Sequence, residues 1–299
     1  MKVLLIGANG QLGSDLQRVF RAEGDEVVRA TRAEVDVCSE DRVSRVIADA
    51  GPDVVLNTAA FHKVEECEKN PALAFQVNAS AAMNLARACQ RSGAILVHFS
   101  TDYVFDGQKK SPYEETDLPS PLNVYGVSKV AGEHLISSNA NRYLIIRTSG
   151  LYGVAGSSGK GGNFVENMLK KAVAGEAIRV VNDQVLTPTY TADLAEVTRK
   201  LILTGQFGLY HLSSEGRCSW YEFTRGILEC AGVEGHLTAV KTCDFPSPVR
   251  RPAYSVLAKT KIHAMGLSLP PWQDSLSRYL RERSHEGSLA FSPPVHASS

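Results

Sequence analysis

A chain of 299 residues that is 43% hydrophobic and 21% charged has the material for one large globular domain or two modest ones with a sizeable core. Its 32 basic residues balance 32 acidic ones, with no basic stripe that would suit nucleic acid or an anionic membrane, no stretch near the ~18 apolar residues of a membrane-crossing helix, and an opening apolar run too short for a signal sequence. Six cysteines without C-x-x-C spacing argue against a zinc site or a disulfide framework, so a soluble cytoplasmic protein with reduced thiols and no metal is expected.

Residues 2–6 read as a buried strand of a parallel sheet. Gly7, Ala8, Asn9, Gly10, Gln11, Leu12 and Gly13 follow at once, then a helix from about residue 11 to residue 20. Strand, glycine turn and helix in that order are the setting of a dinucleotide fingerprint. The glycines let backbone approach a pyrophosphate, and the helix N-terminus offers amide donors and positive dipole. The spacing is G-x-x-G-x-x-G. A second strand at about 26–30 ends in Arg29, Ala30, Thr31 and Arg32. NAD sites usually place an acid there for the ribose hydroxyl. Two guanidinium groups without an acid favour NADPH over NADH. Asp36 and Val37 lie where they can reach the adenine.

A helix at about 43–50, a strand at 53–56 and the small-residue segment Asn57, Thr58, Ala59 and Ala60 come next, and the small residues let a flat cofactor lie against backbone. Residues 63–68 read as a charged loop, and 71–92 as one long helix with Asn78 in its middle. The apolar strand 94–99 leads into Ser100, Thr101, Asp102 and Tyr103. Ligands of open α/β sheets bind outside the carboxyl ends of the strands, so the two hydroxyls are placed for a substrate oxygen. After a Pro- and acid-rich loop, Tyr125 and Lys129 stand four apart in a helical pattern and share a face. A cation near a phenol draws its pKa down toward the working range. Tyr125 is then the proton donor, Lys129 its tuning cation and ribose ligand, and Thr101, helped by Ser100, the binder of the carbonyl oxygen. Together with the glycine turn, these suit hydride transfer between a nicotinamide and a carbonyl or alcohol.

Farther on, a strand ends at Arg147-Thr148-Ser149-Gly150, and 154–163, with four glycines and two serines, reads as a mobile substrate lid. Helices at 164–174, 192–203, 220–231 and 271–283 alternate with strands at 178–181 and 208–212. Arg251 is a candidate for a diphosphate, while Trp220 and Trp272 read as core anchors. Residues 284–299 read as a disordered tail. The architecture expected is a Rossmann-type doubly wound parallel sheet over 1–150, with 182–205 returning to it, and a smaller α/β substrate part from 151–181 and 206–283.

The motifs G-A-N-G-Q-L-G (7–13), S-T-D-Y-V-F-D-G (100–107), P-L-N-V-Y-G-V-S-K-V-A-G-E (121–133), R-T-S (147–149), N-D-Q (182–184) and P-W-Q-D-S-L (271–276) resemble the extended short-chain dehydrogenase/reductase superfamily. Within it, the chain is similar to the dTDP-4-dehydrorhamnose reductase (dTDP-L-rhamnose synthase) family. The resemblance implies reduction of the 4-keto group of dTDP-6-deoxy-L-lyxo-4-hexulose with NADPH or NADH, in the roles above, with Asp102 and Tyr103 beside the sugar of the nucleotide-sugar substrate. A homodimer is implied by analogy. The family usually has Trp where Gly150 stands, and His62 stands where members often carry Thr. Some members hold magnesium through interface glutamates; Asp15 occupies one matching position, with Glu196 a candidate neighbour of it, and no ligand cluster is evident. Two alternatives stay open: a reductase of a different nucleotide 4-keto sugar, and a non-catalytic NADP-binding subunit resembling the methionine adenosyltransferase β subunit.

Overall fold

The computed structural model describes residues 1–155, 162–245 and 247–285. Most of the expected lid and nearly all of the expected tail lie outside them. In chain order come β1 (Lys2–Ile6), α1 (Gln11–Ala22), β2 (Glu26–Ala30), α2 (Glu40–Ala50), β3 (Val54–Asn57), α3 (Val64–Lys69), α4 (Pro71–Phe75), a π-helical turn (Gln76–Ser80), α5 (Ala81–Ser92) and β4 (Ile95–Thr101). They are followed by α6 (Val124–Asn139), β5 (Tyr143–Thr148), β6 (Leu151–Tyr152), α7 (Phe164–Val173), β7 (Ile178–Val181), β8 (Val185–Leu186), β9 (Thr189–Tyr190) and α8 (Thr191–Leu203). The chain ends through β10 (Gly208–His211), β11 (Cys218–Ser219), α9 (Trp220–Ala231), β12 (Leu237–Val240), α10 (Thr260–Ala264) and α11 (Trp272–His285).

Six strands form one parallel sheet in the order β10-β5-β4-β3-β1-β2. The order doubles back between β1 and β3, which opens a crevice at the carboxyl ends of those strands. Because successive side chains alternate across a strand, the apolar runs serve both faces. Val3, Leu5, Leu56, Val97 and Ile146 pack with Leu16 and Phe20 of α1 and with Leu194 and Leu201 of α8. Leu4, Ile6, Val55, Leu96 and Ile145 pack with Ile47, Leu85 and Ile136 from the helices of the opposite face. A second core, around Leu169, Ile178, Phe223, Ile227, Trp272 and Tyr279, holds α7, α9 and α11 in a smaller lobe.

Four departures from the sequence reading have local causes. Residues 64–69 are helical, with Cys67 buried, because this turn closes under α6. Ser100 and Thr101 belong to β4, paired with Arg147 and Thr148 of β5. Gly208–His211, expected in the substrate part, pairs with β5 and completes the large sheet. The helix over 71–92 is interrupted by its π turn. There the Asn78 side chain bonds both backbone groups of Phe61, at 2.8 and 3.0 Å, and donates to Ser128 Oγ at 2.9 Å, a use typical of π bulges. Helix α6 lies against that turn at Gly132, where a Cβ would stand 2.2 Å from the Asn78 carbonyl oxygen. Asn123 caps α6 by accepting from the Gly126 amide.

Candidate active site

A cavity of about 570 Å³ lies at the carboxyl ends of β1, β3, β4 and β5, bounded on its far side by α7 and α9. Gly10, Gln11, Leu12 and Gly13 line one end of it. The turn has no room for side chains: a Cβ on Gly7, at φ +81°, would lie 2.5 Å from Thr58 Oγ1, and one on Gly13 2.4 Å from the Gly7 carbonyl oxygen. Backbone at the start of α1 is what the turn offers, the cradle a dinucleotide diphosphate requires. The turn and Ala60 beside it fit that group, and Ala59 is held by its amide on Asn57 Oδ1.

At the end of β2, Arg29 donates to Asn9 Oδ1 at 2.6 Å, which ties a guanidinium to the glycine turn, and Arg32 is exposed nearby. The reading that no acid stands here is corrected. Glu34 folds back to accept the Thr31 amide at 2.6 Å, and that bond holds its carboxyl below the usual range. Asp36 accepts from the Cys38 amide, and the Val37 carbonyl accepts from Asn84.

Helix α6 brings Tyr125, Lys129 and Glu133 to one face at i, i+4 and i+8. Tyr125 lines the cavity with Thr101, Asp102 and Tyr103, and the Tyr103 ring meets it edge-on at 6.1 Å. Burial pushes the Tyr125 phenol up, and Thr101 beside it opposes that rise. Lys129 does not perform the expected tuning in this arrangement. It lies beneath the floor, with Nζ 2.7 Å from the Phe99 carbonyl and 2.8 Å from His98 Nε2, and burial brings its own value down to about 8. Ser100 is corrected too: its hydroxyl donates to Glu133, not toward Thr101. Glu133 also accepts Arg147 at 2.6 and 3.0 Å, a buried ion pair that pins α6 to β5. Asp102 is turned inward, where it accepts Ser149 at 2.9 Å, Ser255 at 2.5 Å and Thr101 at 3.2 Å; burial raises its carboxyl despite these bonds. It therefore fixes Thr101 and ties β5 and the 255 segment to the site.

Arg251 lines the cavity and forms an ion pair with Glu65 across the opening; its charge opposes the rise that burial gives the Tyr103 phenol. His62 lines the same rim. Trp220, read as a core anchor, instead forms part of the cavity wall, its ring 4.5 Å from that of Phe164. Trp272 is buried in the smaller lobe as expected. Gly150 has φ +57°, and a Cβ there would lie 2.9 Å from Leu186 Cδ1 and 3.1 Å from Pro188 Cα, so this backbone leaves no space for a larger residue. Asp15 is buried on Thr191 Oγ1 and Arg18, while Glu196 is exposed.

His98, Asn57, Glu133, Arg147 and Ser255 escaped the sequence reading. A signal existed for three of them. A histidine and an arginine inside otherwise apolar strands must be paired when buried. Glu133 follows Lys129 by one helical turn on the same face. Nothing local marks Ser255.

Comparison with known proteins places the chain in a family. Residues 1–285 match the family model described as the RmlD substrate binding domain. The spore coat polysaccharide biosynthesis protein SpsK of Bacillus subtilis is 43% identical over 283 residues, covering 95% of this chain and 98% of the relative. The dTDP-4-dehydrorhamnose reductase of Escherichia coli is 36% identical, covering 94% and 98%. The crystal structure of the Bacillus anthracis dTDP-4-dehydrorhamnose reductase in complex with NADP superposes with a TM-score of 0.90 at 39% identity, covering 94% of this chain and 99% of that one. With the glycine turn, Thr101, Tyr125 and Lys129 on one fold, the chain belongs to the RmlD family of dTDP-4-dehydrorhamnose reductases, within the extended short-chain dehydrogenase/reductases.

Proposed function

We propose that this protein reduces the 4-keto group of dTDP-6-deoxy-L-lyxo-4-hexulose to dTDP-L-rhamnose with NADPH, accepting NADH less well. The observation that carries the reading is that Tyr125 and Thr101 line the same cavity as the glycine turn. NADPH, when bound, supplies the hydride. Gly7, Asn9, Gly10, Gln11, Leu12 and Gly13 would hold its diphosphate, Arg29, Thr31 and Arg32 the 2′-phosphate, Asp36 and Val37 the adenine, and Ala59 and Ala60 the nicotinamide half. Tyr125 gives its proton to the substrate oxygen as hydride arrives at carbon, and Thr101, held by Asp102, orients that oxygen. Arg251 takes the substrate diphosphate in place of Glu65, and Tyr103 flanks the sugar.

The intact Thr101, Tyr125 and Lys129 speak for an enzyme over a non-catalytic subunit, because a binding module has no use for a proton donor. A cytoplasmic homodimer is part of the proposal, and sedimentation velocity tests its second half. Among the described residues no helix is long and apolar enough to cross a membrane. The decisive experiment follows nicotinamide absorbance with the enzymatically prepared keto sugar. Tyr125→Phe loses turnover by about 10²–10⁴-fold and keeps NADPH binding. Unchanged turnover in that variant refutes the reading; turnover of a different 4-keto sugar alone redirects it to that substrate.

A further inference from the structure

Asp102 is 4% exposed, and an ionised carboxylate in such a place can only accept hydrogen bonds. Three hydroxyls from separate parts of the chain converge on it. Thr101 meets Oδ1 at 3.2 Å, and Ser149 and Ser255 meet Oδ2 at 2.9 and 2.5 Å. Thr101 and Ser149 come from the ends of neighbouring strands, β4 and β5. Ser255 arrives from 153 residues farther along.

The segment that carries Ser255 is held on both sides. The Ala253 carbonyl accepts the Val185 amide at 2.9 Å, the Ser255 amide donates to the Val185 carbonyl at 2.8 Å, and the Val256 carbonyl accepts the Tyr113 amide at 2.9 Å. Tyr254, Val256 and Leu257 are buried with Val104 and Phe105, and a Cβ on Gly107 would lie 2.6 Å from the Ala253 nitrogen. The same segment meets α6, because the Arg250 carbonyl accepts Asn123 Nδ2 at 2.9 Å, and Asn123 caps that helix two residues before Tyr125. One fixed stretch thus touches the seats of both Thr101 and Tyr125.

We propose that Ser255 is a positioning residue of the reduction: its hydroxyl keeps Asp102 a carboxylate turned to Thr101, and so fixes the hydroxyl that orients the substrate oxygen. The role in turnover rests on the ketoreductase reading. Hydrogen bonds donated to a carboxylate favour its charged form, and burial disfavours it. Without the Ser255 hydroxyl, Oδ2 keeps the Ser149 donor alone, and Asp102 takes up a proton at higher pH. A protonated Asp102 carries a donor of its own and no longer decides which way the Thr101 hydroxyl points. The ionisable groups around it are the phenols of Tyr103 and of Tyr125 on α6, both raised by its charge. Arg251 and Glu65 are paired at the rim, and Arg147 of β5 is engaged by Glu133.

Carbon spectra of the full-length, cofactor-free protein labelled with ¹³C-aspartate test this first, with Asp102→Asn supplying the assignment. The Asp102 midpoint should rise by about one pH unit in Ser255→Ala; an unmoved midpoint overturns the proposal. In turnover of the keto sugar, Ser255→Ala should lower kcat about tenfold and move its acid limb upward by the same interval. KM for the sugar and NADPH affinity should stay within about twofold of wild type, the scale left to residues that touch neither ligand. Ser255→Thr retains the hydroxyl and should restore both kcat and limb. In an Asp102→Asn background, Ser255→Ala should have little further effect on kcat. A slow variant with an unmoved limb, an equal loss of NADPH affinity, or a full further loss in the Asp102→Asn background overturns the proposal. The Asp102 titration needs no substrate, so its failure is distinguishable from an inactive wild type, which refutes the ketoreductase reading.

Discussion

Glu34 sits where a cofactor 2′-phosphate would seek the Thr31 amide, and its carboxylate already uses that donor. A phosphate must displace it and then share the neighbourhood of Arg29 with a like charge. Glu34→Gln is therefore expected to lower KM for NADPH by about threefold, the scale of exposed charge effects, and to leave KM for NADH nearly unchanged. Steady-state kinetics with both cofactors decide this; a loss confined to NADH would instead make Glu34 a ligand of the ribose hydroxyl. At this scale the sequence was legible where spacing carries meaning. Tyr125 and Lys129 share a face because helices repeat every 3.6 residues, and glycines ahead of a helix mark a turn with no room for Cβ. It was illegible where partners come from afar. Glu34 was overlooked because its approach to Thr31 depends on a turn, and Asp102 meets Ser255 only after the lobes have closed.

Helix α6 carries the proposed proton donor, and its seating depends on small residues and buried charge together. Gly132→Ala drives a Cβ against the Asn78 carbonyl oxygen at 2.2 Å. It is expected to cost roughly 1–3 kcal/mol of stability by overpacking, measured by urea unfolding, and to lower turnover by displacing Tyr125. Lys129 gives a second handle on the same element. Its value in the folded protein is about 8 against 10.5 for an ordinary lysine. Between those values the unfolded chain holds one proton more than the folded one, so stability rises with pH across that window. Relative to Lys129→Met, wild type should gain stability there with a slope of up to about 1.4 kcal/mol per pH unit. Parallel pH profiles for the two proteins would show that the burial does not act on the charge. Most element boundaries were readable from apolar periodicity. The π turn was not, since its cause is the docking of Asn78 on Phe61 and Ser128, which no window of sequence contains.

Across the whole molecule, residues of both lobes line the cavity. Arg251, paired with Glu65, is the proposed ligand of the substrate diphosphate, and Arg251→Ala should raise KM for the nucleotide sugar about tenfold or more with NADPH affinity unchanged. Equal losses for both ligands would place Arg251 in lobe alignment instead. The parallel sheet and its switch point were foreseeable from strands alternating with helices, while the membership of β10 was not, because a four-residue strand late in the chain does not announce its neighbour. That membership has a consequence for biosynthesis. The ribosome releases β5 about sixty residues before β10, which covers its edge, and α1 emerges long before α8, which buries its apolar face. A nascent chain halted near residue 150 thus presents an open strand edge and an uncovered helix, surfaces that attract chaperones or other chains. Cutting or fusing the protein at that apparent boundary should yield an aggregating fragment, whereas a break beyond residue 211 leaves the nucleotide-binding sheet whole.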